Sequence, residues 1–400
     1  MSKGIDYKKV LEFYKGKQVL VTGNTGFKGS WLTYILLAAG AKVTGYSLEA
    51  PTEPSLFKII GLDKDAGLKQ IYGDVRDLEN MKNAFDECRP KIVFHLAAQP
   101  IVRDSYKDPV GTYAVNVMGT VNVCECVRTT VDKDNRLVVR SFLNVTTDKV
   151  YRNNEWEWGY RETDFLDGFD PYSNSKSCSE LVTHSYKNAF FNAGNQEPMV
   201  RVSTARAGNV IGGGDFSNDR IIPDCVRSLK SAAVNGGDEG TVAVRNPYST
   251  RPYEHVLEPL FAYLLIAKEQ YEDPSFADYY NVGPDDCDCV NTGDLVTLFC
   301  DTWNKACQEL TGNASDKGTC FPKAGWVNKS EANAPHEAGF LKLDCSKLKS
   351  TFGWAPRWHI DEAIRQTVAW TYAWMENKDS AGLAEAMRSE MDREIELFIV

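Results

Sequence analysis

The run Gln18-Val-Leu-Val-Thr22 passes straight into Gly23-Asn-Thr-Gly26-Phe-Lys-Gly29, and residues 26–39 then read as a helix. A buried strand, a glycine turn and a helix in that order admit few folds. Gly23 allows the sharp turn, Gly26 lets a backbone approach a pyrophosphate, and Gly29 allows close helix–sheet packing. The helix N-terminus adds orphan amides and a dipole that favour phosphate charge. The bland alternative is a tight strand–helix turn with no ligand. A lone glycine motif has little meaning, and this one gains it from its context.

The first half continues the alternation. Strand patterns fall at KVTGY (42–46), LKQIYGD (68–74), KIVFHLA (91–97), LVVRSFLNVT (137–146) and MVRVSTARA (199–207). Helix-like stretches lie near 78–88 and 109–130, and a long helix at 171–192 is entered through Pro171. This predicts an α/β protein built on a Rossmann-like, doubly wound parallel sheet, with a smaller interleaved C-terminal substrate domain. The expected division is a nucleotide-binding domain over 1–206, to which the chain returns around 246–286. A second domain is expected over 207–245 and 287–376, with a helical tail over 377–400. In that tail Leu383, Met387, Met391 and Ile395 recur at steps of four, so an amphipathic helix is expected to pack on the body or on a neighbouring subunit.

The chain has 400 residues, 43% hydrophobic and 25% charged, with a net charge of −10. That balance argues against nucleic acid as the main partner. No apolar run reaches the ~18 residues of a membrane helix, and the N-terminus lacks a secretory core, so the chain reads as cytoplasmic. Eleven cysteines without a signal peptide are expected as free thiols. Cys287-Asp-Cys289 and Cys124-Glu-Cys126 lack a second pair at zinc spacing, and no metal is expected.

Tyr172-Ser-Asn-Ser-Lys176 puts a phenol and an ammonium on one helix face. There the ammonium is expected to lower the phenol's pKa toward the range useful for moving protons. Thr147-Asp148-Lys149 follows the strand run SFLNVT and offers an acid and a base for a second proton transfer. The first set suits carbonyl–alcohol redox and the second suits elimination of water. Read alone, the first is more often a decorated helix face and the second usually a solvated turn.

The first turn supplies Gly23, Thr25, Gly26, Phe27 and Gly29 as cofactor contacts, and Ser47 closes the second strand. No arginine stands near that strand end to hold a 2′-phosphate, which favours NAD over NADP. Asp74 ends the third strand as a candidate for the adenine edge or a helix cap. Ala97, Ala98 and Gln99 follow the fourth, where small side chains let a cofactor lie close.

Together TGxxGxxG, Asp74-Val75, HLAAQ, Asn116 in NVMGT, and YxxxK resemble the extended short-chain dehydrogenase/reductases. Longer stretches are similar to the CDP-glucose 4,6-dehydratases within that family. They include GNTGFKGSWL, TTDKVYRNNEWEWGYRE, DPYSNSKSCSELV, ARAGNVIGGGDF and RPYEHVLEPL, and the likeness covers roughly residues 11 to 376. Relatives acting on dTDP- or GDP-sugars carry an acidic pair after the threonine, where this chain has Asp148-Lys149. Trp156 and Trp158 point the same way.

The resemblance implies NAD-dependent dehydration of a nucleotide sugar. Tyr172 and Lys176 would act with Thr147 at C4, with Asp148 as acid and Lys149 as base. Val75 joins the cofactor set. Asn209, Arg220 and Arg251 would hold the nucleotide diphosphate, Gln99, Arg103 and Ser105 would line the sugar pocket, and His336 would either approach the nucleotide or play a structural part. Relatives pair through two long helices, so a homodimer or larger homo-oligomer is expected. The alternatives are an epimerase, a dehydratase for a dTDP- or GDP-sugar, and a silent NAD-binding protein.

Overall fold

The computed structural model describes residues 4–191, 199–313, 321–330 and 339–400. Its strands are β1 (Gln18–Thr22), β2 (Lys42–Ser47), β3 (Leu68–Tyr72), β4 (Ile92–His95), β5 (Ser141–Thr147), β6 (Arg201–Ala207), β7 (Asn209–Ile211), β8 (Glu239–Val244), β9 (Thr250–His255), β10 (Tyr279–Val282), β11 (Cys289–Asn291) and β12 (Lys323–Asn328). Seven of them form one sheet in the order β10-β6-β5-β4-β1-β2-β3. Every pairing in it is parallel, from Gln18 opposite Lys42 to Tyr279 opposite Thr204. The doubly wound Rossmann-like sheet expected from the alternation is therefore present.

A parallel sheet must be covered on both faces, which is why its strands read as unbroken apolar runs. Along β1, Val19 and Val21 enter one core while Leu20 enters the other. The first core is closed by helices such as Phe27–Ala38 and Leu257–Glu272. The second is closed by Leu78–Cys88 and Gly119–Thr129. Leu257–Glu272 is almost entirely buried, and its carbonyl at Ala267 and side chain at Gln270 bind Ser141 Oγ.

Strand order reverses direction between β1 and β4, since β2 lies on one side of β1 and β4 on the other. Crevices at such points, beyond the carboxyl ends of the strands, are where ligands sit in open α/β sheets. A second layer stands over that crevice. β9 pairs in parallel with β7 and antiparallel with β11, and β8 pairs in parallel with β12. The segment after Ala207, loop-like in sequence, thus contains the short strand β7 before the helix Ile221–Val234.

The tail forms the helix Leu383–Ile399, and Met387, Met391 and Phe398 are fully buried. Its polar side is also tied to the body. Tyr34 Oη donates to Asp392 Oδ1 at 2.8 Å, and Arg388 Nε donates to the Ile60 carbonyl at 2.7 Å. No helix among the described residues is long and apolar enough to cross a membrane.

Candidate active site

The glycine turn lies at the switch point. Gly23 has φ +72°, and a Cβ on it would sit 2.7 Å from the Ala97 amide nitrogen beyond β4. A Cβ on Gly29 would sit 2.2 Å from the Gly23 carbonyl oxygen, so the helix can press against the turn only with glycine there. At Gly26 the nearest atom to such a Cβ is 3.5 Å away. Gly26 also caps the helix without a side-chain acceptor. The first-turn amides therefore stay available to an anion on a face with room for it. The residues present fit a dinucleotide's pyrophosphate.

Around this turn some expected contacts are braces. Ser47 is buried, with its hydroxyl donating to Asn24 Oδ1 at 2.9 Å and accepting from Gln70. Its hydroxyl thus locks the turn to β3. Thr25 Oγ1 donates to the Leu48 carbonyl. Phe27 is partly buried, and Ala97 and Ala98 line the far side. Val75 is buried, with its carbonyl accepting from Asn122. The Asp74 carboxylate is engaged by Arg76 at 2.6 Å, which holds it below the usual carboxylate range.

The helix Pro171–Tyr186 begins at Asp170, whose carboxylate accepts the Ser173 amide and hydroxyl. Tyr172 and Lys176 follow one turn apart, both buried. Lys176 Nζ donates to the Val145 carbonyl at 3.1 Å on β5. Burial, with Lys28 nearby, lowers the Lys176 ammonium to about 8. The Tyr172 phenol is raised by burial, and the groups that lower it are the Thr147 hydroxyl and the Arg220 guanidinium. The expectation that Lys176 depresses the phenol is corrected here. Desolvation dominates, and the ammonium is turned to the β5 backbone.

The same helix is pinned one turn later. Glu180, 1% exposed, pairs with Arg206 at 2.9 Å, accepts from Thr204 Oγ1, and binds Thr146 as well. Arg206 Nη1 reaches Tyr151 Oη, whose ring stacks on Tyr160, which in turn stacks on Trp156. Trp158 beside it is mostly exposed.

Thr147 ends β5, and Asp148–Val150 form a single 3-10 turn that brings Asp148 and Lys149 beside it. Asp148 is fully buried. Its Oδ1 accepts from Thr147 Oγ1 at 2.9 Å and from Lys149 Nζ at 3.3 Å. Its Oδ2 has no partner among the described residues. Lys149 Nζ also donates to Asn209 Oδ1 at 3.2 Å. Asn209, expected to bind phosphate, thus stands as a second acceptor for the lysine.

Arg220 is the N-cap of Ile221–Val234, electrostatically close to both Lys28 and Tyr172. Arg251, on β9, is buried, and Nη1 donates to the Thr250 carbonyl. Arg103 is partly buried near Asp219. Ser105 is corrected: it is fully buried, donates to Val102 O and accepts the Tyr172 amide at 3.1 Å. It seats the N-terminal turn of the helix Pro171–Tyr186. Gln99 is partly buried, and its amide bonds to Ile101 and Thr112 hold the turn after β4. His336 lies outside the described residues.

Two residues of the site escaped the sequence reading. Lys28 sits inside the glycine motif, partly buried, its Nζ 5.9 Å from the Tyr263 ring centre. Burial and Arg220 bring it down to about 8, against the opposing pull of Glu254, Asp148 and Asp215. Glu254, on β9, is 1% exposed with neither carboxylate oxygen partnered among the described residues. Burial raises its pKa strongly, so it is held neutral. The available signals were a charge in the middle of GxxGxxG and an acid inside RPYEH.

Residues 20–367 match the family described as GDP-mannose 4,6 dehydratase. The chain is 44% identical over 369 residues to a CDP-glucose 4,6-dehydratase of Salmonella typhimurium, covering 92% of this chain and 94% of that one. It is 26% identical to a probable dTDP-glucose 4,6-dehydratase of Sinorhizobium fredii, over 88% and 92% of the two chains. Among solved structures, a Bacillus anthracis dTDP-glucose 4,6-dehydratase in complex with NAD superposes with a TM-score of 0.65 at 18% identity, over 91% and 98% of the chains. A Thermus thermophilus UDP-glucose 4-epimerase complex with NAD gives 0.66 at 24% identity, over 88% and 98%. With a glycine-built anion cradle, a buried tyrosine–lysine pair and an acid–base pair around one crevice, the chain belongs to the GDP-mannose 4,6 dehydratase family of nucleotide-sugar dehydratases.

Proposed function

We propose that this protein is an NAD-dependent hydro-lyase converting CDP-D-glucose to CDP-4-dehydro-6-deoxy-D-glucose and water. The observation that carries the reading is the Asp148–Lys149 contact of 3.3 Å beside Thr147. A redox enzyme has no use for such a pair, whereas an elimination needs both members. The 44% identity to a CDP-glucose enzyme supports the choice of sugar.

The Gly23–Gly29 turn, with Ala97 and Ala98 opposite, would hold NAD, which when bound accepts the C4 hydride and returns it to C6. Tyr172, in the phenolate form that the Thr147 hydroxyl and Arg220 favour, takes the C4 hydroxyl proton, with Thr147 orienting the same oxygen. Lys176 faces the β5 carbonyl and supplies positive charge nearby. The ketone acidifies the C5 proton. A proton passed from Lys149 to Asp148 turns the ion pair into a neutral amine and a neutral acid. Lys149 then takes the C5 proton, and Asp148 gives its proton to the departing C6 hydroxyl. The pair returns to its ionic form and one water leaves; as the hydride reaches C6 a proton adds to C5, and the proton held on Tyr172 is released to restore the phenolate. The proton received at Asp148 Oδ1, the oxygen in contact with Lys149 Nζ, is the one donated. Arg220 and Lys28 supply positive charge for the diphosphate.

The test is a panel of CDP-, dTDP-, GDP- and UDP-hexoses with the product's C4 and C6 read by NMR. A 4-keto-6-deoxy product from CDP-glucose is expected. Turnover of another sugar alone would overturn the substrate, and inactivity of NAD-loaded protein on every sugar would favour a silent binder.

The assembly we propose is a homodimer through the helical segments 109–129 and 171–191. Val110, Met118, Leu181 and Phe190 on them are 79%, 52%, 54% and 46% exposed. Leu181→Glu should shift the sedimentation mass toward a monomer. The free thiols support a cytoplasmic setting.

A further inference from the structure

Spacing along the chain offered no metal set, but the fold assembles one away from the crevice. Cys287 and Asp288 lie on the connection between β10 and β11. His359, which precedes the helix Ile360–Asn377, is folded back onto them. His359 Nδ1 stands 2.9 Å from Asp288 Oδ2 and 3.9 Å from Cys287 Sγ, and Sγ stands 3.5 Å from the same carboxylate oxygen.

We propose that Cys287, Asp288 and His359 form a binding site for one divalent transition-metal ion of the zinc class. The donor set of thiolate, imidazole and carboxylate suits such an ion. Tetrahedral ligands at about 2.3 Å for sulfur and about 2.0–2.2 Å for nitrogen and oxygen stand about 3.3–3.6 Å from one another. The three observed separations bracket that range, so shifts of about half an ångström complete the geometry. Asp288 is already oriented for the task. Its Oδ1 accepts the Ile360 amide at 2.9 Å, which leaves Oδ2 to the shared centre.

A catalytic triad is the competing use of these three residue types, and the geometry rules against it. A proton relay needs the thiol and the carboxylate on opposite ring nitrogens. Here both face Nδ1, so three donors converge on one point. The surroundings also favour a cation. Asp285 and Asp361 add negative charge beside His359. Asp288 is 4% exposed whereas His359 is 63% exposed and Cys287 is exposed, so the site has a fixed floor and an open fourth position. Binding releases the thiol proton and any proton on the imidazole. The ion would staple the β10–β11 connection to the start of Ile360–Asn377. Because β11 pairs with β9 through Val290 opposite Arg251, that staple also braces the strand carrying Arg251 and Glu254.

The test titrates Co²⁺ into the chelator-stripped full chain, followed by competition with Zn²⁺. One equivalent should bind with a near-ultraviolet thiolate-to-cobalt band, and Zn²⁺ should displace it and raise the Tm. Cys287→Ser should abolish the band. His359→Gln, at an exposed position, and Asp288→Asn, which keeps an acceptor for Ile360, should each weaken binding at least about tenfold. Cys88→Ser should change nothing. No saturable binding, or a band that survives Cys287→Ser, would overturn the site, whatever the sugar panel shows.

Discussion

Tyr172 and Lys149 divide the proposed reaction between them, and single substitutions separate the halves. Tyr172→Phe removes the group that accepts the C4 proton, so both NADH absorbance and product should fall by about 10²–10⁴-fold. Lys149→Ala leaves that group intact. It should accumulate transient NADH absorbance from C4 oxidation while releasing no dehydrated sugar, and normal turnover in this variant would remove Lys149 from the mechanism. The residue identities in this cluster were legible in the chain, because YxxxK and Thr-Asp-Lys sit at spacings that local geometry alone converts into proximity. Their couplings were not. Asn209 reaches Lys149 across 60 residues, and Ser105 seats Tyr172 across 67. Lys28 drew no notice in the chain, and only the fold sets it beside Arg220 and Asp148.

The helix Pro171–Tyr186 is held on the sheet by the buried Glu180–Arg206 pair. Glu180→Gln leaves a buried guanidinium without its counter-charge, which should cost about 3–5 kcal/mol in urea unfolding. It should also slow turnover by loosening Tyr172 and Lys176. The tail helix Leu383–Ile399 offers a second test at this scale. Truncation after Lys378 would uncover the sites of Met387, Met391 and Phe398 and strand His255, whose Nε2 lies 3.4 Å from Glu394 Oε2. Burial lowers His255 to about 3 and raises Glu394 strongly, so this is a contact between neutral groups that depends on exclusion of water. The truncated chain should unfold at markedly lower temperature. The amphipathic period of this helix was legible in Leu383, Met387, Met391 and Ile395, but the surface it covers was not, since periodicity names a buried face and not its partner.

Across the whole molecule, the crevice concentrates cations that the fold keeps short of counter-charge. Lys28 and Lys176 are both lowered to about 8 from an ordinary 10.5. Between those values each of these lysines holds a proton in the unfolded chain that it has released in the folded one, so their contribution to stability rises with pH there. Below about pH 8 both are charged when folded and the burial penalty is present in full. Chemical denaturation from pH 8 to about 9.5 should therefore show the ligand-free protein gaining stability relative to a Lys28→Met, Lys176→Met variant, since buried thiols such as Cys88, Cys126 and Cys289, raised to about 12, lower stability over the same range in both proteins. An anionic dinucleotide or nucleotide sugar would draw both lysines back toward their charged forms. Calorimetry in buffers of different ionisation enthalpy should then report proton uptake on binding near pH 8.5. Local pattern was enough for the parallel sheet, the glycine cradle and the identities of the tyrosine, lysines and aspartate, because strand runs, turn glycines and one-turn helix spacings are properties of short stretches of chain. The fold settled which polar side chains brace the turn, that Glu254 is buried without a partner among the described residues, and that His359 meets Cys287 and Asp288. Those outcomes depend on contacts between segments distant in sequence and on how much water the packing removes from each charge.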